Sequence, residues 1–509
     1  MGKWYSGWWA AGLLALMAVP AGCGSGGADT PGPASRPDIV FILTDDLDAD
    51  AVASMPQVQA LIGDQGLRME RHMVSLSLCC PSRVTGLRGQ FAHNTGIFSN
   101  DSQTGGFQTA HALGLETDTI ATWLQQAGYR TALFGKYLNG YPRTAPSDTY
   151  IPPGWDDWAS PVGGDPYSSY DYTLNVNGVK QVHGHDAADH LTDVIAGLAL
   201  DFLERQWRER PQQPYLLMLT PYAPHSPANP APRHADAFPG ATAPRPPSFD
   251  EADVSDKPAW VQALPRLGDT QTAHIDALYR RRLQSLLAVD EMVGRLVERL
   301  RTAGRLSNTF IVFTSDNGYH MGQHRLLPGK ATGYEEDLRV PLLVRGPGIA
   351  AGTRQTGLSA NVDHAPTLAE IAGAAMPAWV DGRSLLPLWR GQAVSGWRQA
   401  LLLEYRPANP DLQAAAADRT LEPPDPQERA RGQAVLDQGF AGLRMADDTT
   451  VLLYDGGDAE HYDLRSDPWQ LNNGHAALPA SRQQQLATWI RRLQAASGAD
   501  LRQLESAPP

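Results

Sequence analysis

Cysteine is scarce in this sequence. Only three cysteines occur in 509 residues, Cys23, Cys79 and Cys80, and the last two are adjacent. So few cysteines in this arrangement exclude a disulfide framework, although the N-terminus has the features of an exported protein. The length is sufficient for a large hydrophobic core and would by itself allow two or three domains.

Long hydrophobic runs are also missing, apart from one near the N-terminus. That run, from Trp8 to Val19, is short for a membrane span, and it lies between a lysine and a group of small residues. We therefore interpret residues 1–22 as a signal peptide. The small residues before Cys23 resemble a bacterial lipoprotein cleavage site, and the glycine-rich stretch after it predicts a flexible linker over residues 23–36.

Cleavage without lipidation remains the alternative, because Pro20 stands where lipoprotein signals usually have an aliphatic residue. A lipidated Cys23 predicts an exported, cell-envelope lipoprotein that contacts the membrane only through this anchor. An unmodified Cys23 predicts a periplasmic or secreted protein.

Positive charge is in deficit. Lys and Arg number 42 against 55 Asp and Glu, which gives a formal net charge of -13. Since the field of such a protein repels polyanions, we expect no nucleic-acid partner. Any anionic substrate would need a locally basic pocket.

What the chain does contain is a series of apolar, β-branched runs, each typical of a strand buried on both faces of a parallel sheet. The runs span residues 38–43, 131–134, 215–220, 309–314 and 340–345. Amphipathic helices are predicted over 117–127 and 272–300.

The pattern changes from about residue 396. Two shorter strand-like runs, 400–404 and 450–454, are followed by a last helix that places Leu486, Trp489, Ile490 and Leu493 on one face. We interpret this region as a smaller C-terminal subdomain.

Charged and amide residues stand directly after three of the predicted strands. Asp45 and Asp46 follow the first, Lys136 follows the second, and Asp316 and Asn317 follow the fourth. Open α/β sheets bind ligands at the edge where the carboxyl ends of parallel strands meet. Four oxygen donors there suit a hard divalent cation such as Ca²⁺, although an Asp-Asp pair can equally open a turn or cap a helix.

Three histidines and a lysine in loops are further candidates. His225 lies in a proline-stiffened loop beyond the third strand, where it could serve in acid-base chemistry or be an ordinary loop histidine. His320, His324 and Lys330 share the glycine-rich loop after Asn317. A two-histidine zinc site is conceivable there, but the neighbouring oxygen and amide donors disfavour it.

One short stretch, Ser77 to Gly89, contains the two adjacent cysteines and reads Cys-Cys-Pro-Ser-Arg over residues 79–83. A cysteine in a proline-stiffened turn, with Arg83 four residues on, could be a nucleophile held beside a fixed positive charge. It could also be a buried structural thiol.

These residues together resemble a known family, the type I (formylglycine-dependent) sulfatases. The resemblance extends from Pro37 to about Asn473, and residues 79–83 are its most specific part. Similarity to the N-acetylglucosamine-6-sulfatase branch lies in the adjacent cysteines and in residues 135–139, 315–320, 334–341, 462–464 and 467–468.

The family implies an alkaline-phosphatase-like α/β fold. Such a fold has a mixed, mostly parallel sheet with helices on both faces. It would form an N-terminal catalytic domain over 37–395, and a smaller α+β subdomain would occupy 396–509.

The resemblance also implies the chemistry. A formylglycine-generating enzyme would convert Cys79 to formylglycine (3-oxoalanine), and a hydroxyl of its hydrate would attack the sulfur of a small-molecule or saccharide sulfate ester. The second hydroxyl would then expel sulfate, which an ordinary serine could not do. Cys80 would have no chemical role.

The same resemblance assigns roles to the other candidates. Arg83 would stabilise the nucleophile, Lys136 and Lys330 would bind sulfate oxygens, and His225 or Lys330 would protonate the departing alcohol. Ca²⁺, or alternatively Mg²⁺, would be held by Asp45, Asp46, Cys79, Asp316 and Asn317.

The sequence departs from the family pattern at two places. Leu138 stands where many members have a histidine, and Arg88-Gly89-Gln90 stands where the motif usually ends in Thr-Gly-Arg or Thr-Gly-Lys. His320 and His324 are interpreted as substrate contacts.

Two rival functions remain open. A phosphonate monoester or phosphodiester hydrolase could use the same core, because tetrahedral phosphorus and sulfur anions share size and geometry. A catalytically inert, lipid-anchored binding protein is the other rival. We expect residues 228–267 and 406–433 to select the alcohol part of a substrate.

Overall fold

A ten-stranded sheet organises the fold, and a four-stranded sheet follows it in the chain. The computed structural model describes residues 36–100, 104–407 and 438–509. Its strands are β1 Asp38–Thr44, β2 Leu67–Met69, β3 His72–Met73, β4 Arg130–Gly135, β5 Asp157–Gly164, β6 Tyr172–Val176, β7 Val179–His183, β8 Tyr215–Thr220, β9 Thr309–Ser315, β10 Leu342–Arg345, β11 Thr353–Gln355, β12 Ser359–Ala360, β13 Ala400–Tyr405, β14 Phe440–Met445, β15 Thr449–Tyr454 and β16 Ala459–Asp463.

The large sheet has the strand order β11-β2-β10-β9-β1-β8-β4-β5-β6-β7. The strands from β9 to β5 are parallel to their neighbours, and Ile42 of β1 lies in register between Phe313 of β9 and Leu219 of β8. Antiparallel pairs flank them at β10 and at β6 and β7. The predicted mixed, mostly parallel sheet is thus confirmed. β10 begins later than predicted, at Leu342, because Pro341 has no N–H to donate to a neighbouring strand.

Alternate side chains of β1 pack on opposite faces of this sheet. Phe41 belongs to one hydrophobic core and Ile42 to another. The first core is completed by the helices Ile120–Gln126 and His364–Ala372, and the second by Leu191–Glu209 and Asp269–Thr302. Helices therefore cover both faces, which is why the strands are apolar throughout.

The remaining α-helices are Pro56–Val58, Cys79–Arg88, Ala92–Thr95, Gly106–Ala112, Ala259–Gln262, Glu335–Leu338, Leu386–Trp389, Ala480–Gln494 and Gly498–Ser506. Within the described ranges, every helix is too short or too polar to span a bilayer.

The C-terminal region contains the antiparallel sheet β13-β14-β15-β16. The Ala480–Gln494 helix packs Leu486 and Trp489 against the core of this sheet, so the predicted C-terminal subdomain is confirmed. A further helix, Gly498–Ser506, follows it and lies beyond the helix that was predicted to be the last. Residues 36–509 form one compact unit, and the domain boundary at residue 396 stays a prediction.

The predicted signal peptide, Cys23 and nearly all of the linker lie outside the described residues. So do residues 408–433 of the second segment that is expected to select the alcohol. The other segment, 228–267, is described and contains one short α-helix, Ala259–Gln262.

Candidate functional site

The carboxyl ends of the central strands bring the predicted site residues to one edge of the sheet. Asp45 and Asp46 follow β1, Lys136 follows β4, and Asp316 and Asn317 follow β9. All five are almost completely buried. Because β9, β1, β8 and β4 are parallel neighbours, residues far apart in the chain meet there.

Cys79 reaches this edge as the first residue of the Cys79–Arg88 helix, which begins after the extended Leu78. Pro81 fits in the first turn, because the amides there have no intrahelical acceptors. The thiol is fully buried, and its Sγ lies 3.3 Å from Asp45 Oδ1 and 2.9 Å from Lys330 Nζ. The start of the helix thus holds residue 79 among the charged groups.

Arg83 lies one helical turn beyond Cys79, on the same side of the helix. Its Nε donates a hydrogen bond to Asp316 Oδ2 at 2.7 Å, and its Nη1 donates to the carbonyl of Lys136 at 2.9 Å. Lys136 Nζ in turn donates to Asp45 Oδ2 at 2.6 Å. These contacts link the Cys79–Arg88 helix to three strand ends.

Opposite charges keep Asp45 and Lys136 ionised in this buried setting. Burial alone would raise the pKa of Asp45, but Lys136, His225 and Arg83 outweigh it and lower that pKa. Burial alone would likewise lower the pKa of Lys136, but the Asp45 carboxylate holds it well above its usual range. The edge of the sheet is therefore a compact set of compensated charges.

The donor atoms at this edge fit a hard divalent cation. Ligand atoms of Asp45, Asp46, Cys79 and His225 lie within 4.8 Å of one another. Two buried oxygens, Asp46 Oδ2 and Asn317 Oδ1, have no hydrogen-bond partner in the described structure, and such atoms are costly to bury unless a ligand satisfies them. Asp46 also has a left-handed backbone, with φ at 66°, which is typical of functional positions.

The other two predicted metal ligands have protein contacts of their own. Asp316 Oδ1 accepts from the Asp46 amide at 3.1 Å, while its Oδ2 accepts from Arg83. Asn317 Nδ2 donates to Asp46 Oδ1 at 2.7 Å. The structure thus brings all the predicted ligands together, and their ligation of a metal stays a prediction.

His225 lies beyond β8 with one ring nitrogen committed to the backbone. Its Nδ1 is 2.7 Å from the Ser226 carbonyl, which can only accept, so Nδ1 carries a proton. Nε2 lies 3.5 Å from Asp46 Oδ2. The histidine is therefore directed towards the same carboxylate as Lys330, whose Nζ is 2.7 Å from Asp46 Oδ1.

Tyr167 and Arg282 lie at the site but were not predicted from the sequence. Lys136 Nζ lies 5.1 Å from the centre of the Tyr167 ring, and His225 packs on the same ring. Arg282 donates to the backbone carbonyl of Asp46 at 2.6 Å. A signal for Arg282 existed, because it lies on the buried face of the long Asp269–Thr302 helix. No pattern marks Tyr167.

The two departures from the family pattern have structural explanations. Leu138 is buried in the hydrophobic core on one face of the sheet. Arg88 donates to Gln90 Oε1 at 2.9 Å and to the carbonyls of Leu115 and Asp118, both at 2.7 Å. Arg88 and Gln90 thus bind each other and anchor the end of the helix.

His320 and His324 are buried and bind different carboxylates. His320 Nδ1 lies 2.9 Å from Asp337 Oδ1, and His324 Nδ1 lies 2.6 Å from Glu251 Oε2. Burial lowers the pKa of His324, so it is neutral. These contacts favour roles inside the protein, and their contact with substrate stays a prediction.

The sequence is similar to known sulfatases over most of its length. The family model described as Sulfatase matches residues 37–374. Human N-acetylglucosamine-6-sulfatase is 38% identical over 377 residues, which cover 73% of this chain and 67% of that protein.

Two extracellular sulfatase homologues, from Caenorhabditis elegans and Drosophila melanogaster, are also 38% identical, over 73% and 72% of this chain. The chain spans only 52% and 33% of their respective lengths.

One solved structure, of a protein in complex with its substrate D-glucosamine-2-N,6-O-disulfate, superimposes with a TM-score of 0.71 at 27% identity. The superposition covers 90% of this chain and 98% of the other.

Proposed function

Because this chain belongs to the sulfatase family, we propose that it hydrolyses a sulfate ester with residue 79 as the nucleophile. The observation that carries the proposal is the position of Cys79. Its Sγ lies 2.9 Å from Lys330 Nζ and 3.3 Å from Asp45 Oδ1, beside Arg83 and Lys136. An acidic protein thus places cationic side chains beside residue 79, as an anionic substrate requires, although carboxylates compensate them.

The Cys79 Sγ stands in for a hydroxyl of hydrated formylglycine, the group into which we propose a formylglycine-generating enzyme converts this residue. When formed, that group supplies one hydroxyl for attack on sulfur and a second for release of sulfate. The buried helix start fixes residue 79 in place for this purpose.

Three cationic side chains would act on the sulfate and on the nucleophile. Lys136 and Lys330 would bind sulfate oxygens, and Arg83 would stabilise the deprotonated nucleophile through its fixed charge. Lys330 Nζ lies 2.9 Å from Cys79 Sγ and could protonate the departing alcohol oxygen, with His225 as the alternative donor.

We propose Ca²⁺ as the cofactor, with Mg²⁺ as the alternative, held by Asp45, Asp46, Cys79, Asp316 and Asn317. The oxygen-rich donor set and the two unsatisfied oxygens support a hard cation. When bound, it would add positive charge beside residue 79 and favour the deprotonated hydroxyl.

The substrate we propose is a sulfated saccharide. Support comes from human N-acetylglucosamine-6-sulfatase and from the structural relative bound to a glucosamine disulfate. We also propose export, supported by the extracellular relatives, with Cys23 as the lipid anchor or without lipidation.

Enzyme matured together with a formylglycine-generating enzyme tests these proposals. Mass spectrometry of the peptide containing residue 79 should show loss of the thiol, and p-nitrophenyl sulfate should be hydrolysed faster than a p-nitrophenyl phosphodiester. Faster turnover of the phosphodiester would favour the phosphonate or phosphodiester hydrolase. An unmodified thiol without turnover would favour the inert binding protein.

A further inference from the structure

Lys330 approaches the nucleophile from a loop without helix or strand. Its Nζ lies 2.9 Å from Cys79 Sγ and 2.7 Å from Asp46 Oδ1, yet residues 318–334 contain only isolated bridges. A long lysine on an irregular backbone has many accessible conformations. Catalytic positioning of its ammonium group therefore depends on tertiary contacts that fix the loop on both sides of it.

The contacts before Lys330 lead to one buried carboxylate. Gly329 and His320 exchange backbone hydrogen bonds, with N···O distances of 2.9 and 3.1 Å. The His320 ring then binds Asp337, with Nδ1 2.9 Å from Oδ1 and 3.0 Å from Oδ2. Because a carboxylate only accepts, the proton of this bond resides on Nδ1.

After Lys330, the backbone of Ala331 and Thr332 bonds to Ser77, and Thr332 also binds the same carboxylate as His320. The amide of Thr332 donates to Asp337 Oδ2 at 2.9 Å, and its hydroxyl donates to the same oxygen at 2.6 Å. Asp337 is fully buried in the Glu335–Leu338 helix. Its backbone carbonyl also accepts from Gly318, next to Asn317, at 2.9 Å.

We propose that Asp337 is a positioning residue for Lys330, which it acts on through His320 on one side and Thr332 on the other. The proposal rests on the proposed function, since it assumes that Lys330 works at the reacting centre. It predicts that Asp337 matters to turnover only as long as Lys330 is present.

The test is a double-mutant cycle between Asp337→Asn and Lys330→Ala. Asparagine preserves the volume but cannot accept from both His320 and Thr332, so the single variant should lose about 10- to 100-fold in kcat. In the Lys330→Ala background the same change should cost less than about 3-fold. Independent losses that multiply in the double variant would overturn the proposal.

A matched control is Asp381→Asn. Asp381 is also fully buried and accepts from neutral donors, the amides of Phe91 and Gly498 and the side chain of Asn94. Its replacement should lower the unfolding temperature, and its effect on kcat should be the same with and without Lys330. A control that also loses its effect in the Lys330→Ala background would show that the cycle reports general loosening, and would overturn the proposal.

A crystal structure of the Asp337→Asn variant gives a result that needs no activity. The ammonium group of Lys330 should leave residue 79, and an unchanged Lys330 Nζ to Cys79 Sγ distance would overturn the proposal. If the parent enzyme hydrolyses no sulfate ester, the proposed function fails. The Lys330 Nζ to Cys79 Sγ distance in the variant then tests by itself whether Asp337 positions Lys330. Should Asp337→Asn not fold, His320→Gln and Thr332→Val each remove one of the two connections between Asp337 and Lys330. Each replaces Asp337→Asn in the double-mutant cycle with Lys330→Ala, and losses that multiply would again overturn the proposal.

Discussion

Arg398 and Arg83 are both buried between carboxylates, in two regions that use their hydrogen-bonding groups differently. Arg398, near the C-terminal helix, donates from Nε to Glu505 at 2.9 Å and from its two terminal nitrogens to Asp363 at 2.6 and 2.8 Å. Arg83, at the sheet edge, donates from Nε and Nη1 but has no hydrogen-bond partner for Nη2 in the described structure.

The carboxylates show the same difference. Both oxygens of Asp363 accept from backbone amides as well as from Arg398, so each oxygen of this carboxylate has hydrogen-bond partners. One oxygen of Glu505 lacks a partner. At the sheet edge Asp46 and Asn317 each keep an oxygen without a hydrogen bond, and Arg83 Nη2 lies 3.9 Å from Asp45 Oδ2, beyond hydrogen-bond distance. Depth of burial is the same in both regions. The sheet edge thus leaves more donors and acceptors without a hydrogen bond than the Arg398 region does, which favours a ligand at the edge.

The largest effect is expected at residue 79. Cys79→Ala should lower turnover of matured enzyme at least about 1000-fold, because it removes the nucleophile. The unfolding temperature should change little, which calorimetry can check. Cys80→Ala is the matched control, because Cys80 is equally buried and its pKa is raised by burial to about 12, so it stays a neutral thiol. Activity retained by Cys79→Ala would refute the assignment.

A pair of identical substitutions tests the two arginines directly. Arg83→Lys should reduce kcat/KM about 100-fold, since lysine keeps the charge but cannot reproduce the guanidinium contacts with Asp316 and the Lys136 carbonyl. Arg398→Lys should leave kcat/KM of the folded enzyme unchanged and instead lower the free energy of unfolding by about 3 kcal/mol. Initial rates and urea denaturation separate these effects. Equal losses of activity would remove the distinction between the regions.

Cation removal should affect only the sheet edge around Arg83, not the region around Arg398. Chelation should abolish turnover and lower the free energy of unfolding by about 2.7 kcal/mol if the cation had been present at about 100 times its dissociation constant. Calorimetry with and without Ca²⁺ or Mg²⁺ measures the shift. Asp46→Asn should lose the shift, whereas Asp381→Asn should keep it. An unchanged unfolding temperature after complete removal of metal would contradict a cation at this edge.

The site residues at the sheet edge were largely predictable from the sequence, for a topological reason. Asp45, Lys136 and Asp316 each follow an apolar run, and parallel strands bring such positions to one edge. Tyr167 and Asp337 were not predictable as parts of the site. Tyr167 lies in the short 3₁₀ helix Pro166–Ser168, which has no periodic pattern, and Asp337 acts through hydrogen bonds to residues that only the folded loop brings near.

The ion pairs around Arg398 were less predictable from the sequence than the sheet edge. Glu505 lies in a helix beyond the last predicted one, and its pairing with Arg398 joins residues that are 107 apart in the chain. Such long-range ionic pairs have no spacing that a sequence pattern could reveal. They become visible only when tertiary packing has placed both side chains.

A pH-dependent effect is expected at a buried polar pair that carries no charge, His72 and His364, whose Nε2 atoms lie 3.0 Å apart. Burial lowers the pKa of His364 to about 4, and burial with the neighbouring ring lowers that of His72 well below 6.5. Between pH 6.5 and about 4 the unfolded chain therefore binds protons that the folded protein does not, so the free energy of unfolding falls as the pH falls, by about 1.4 kcal/mol per pH unit for each histidine. Urea denaturation at several pH values should show a shallower dependence in His364→Gln, while His185→Gln, at an exposed position, should match the parent. If the free energy of unfolding depends on pH equally in His364→Gln and in the parent, the buried ring is not neutral. The His72–His364 pair would then be charged, like the buried arginines and carboxylates.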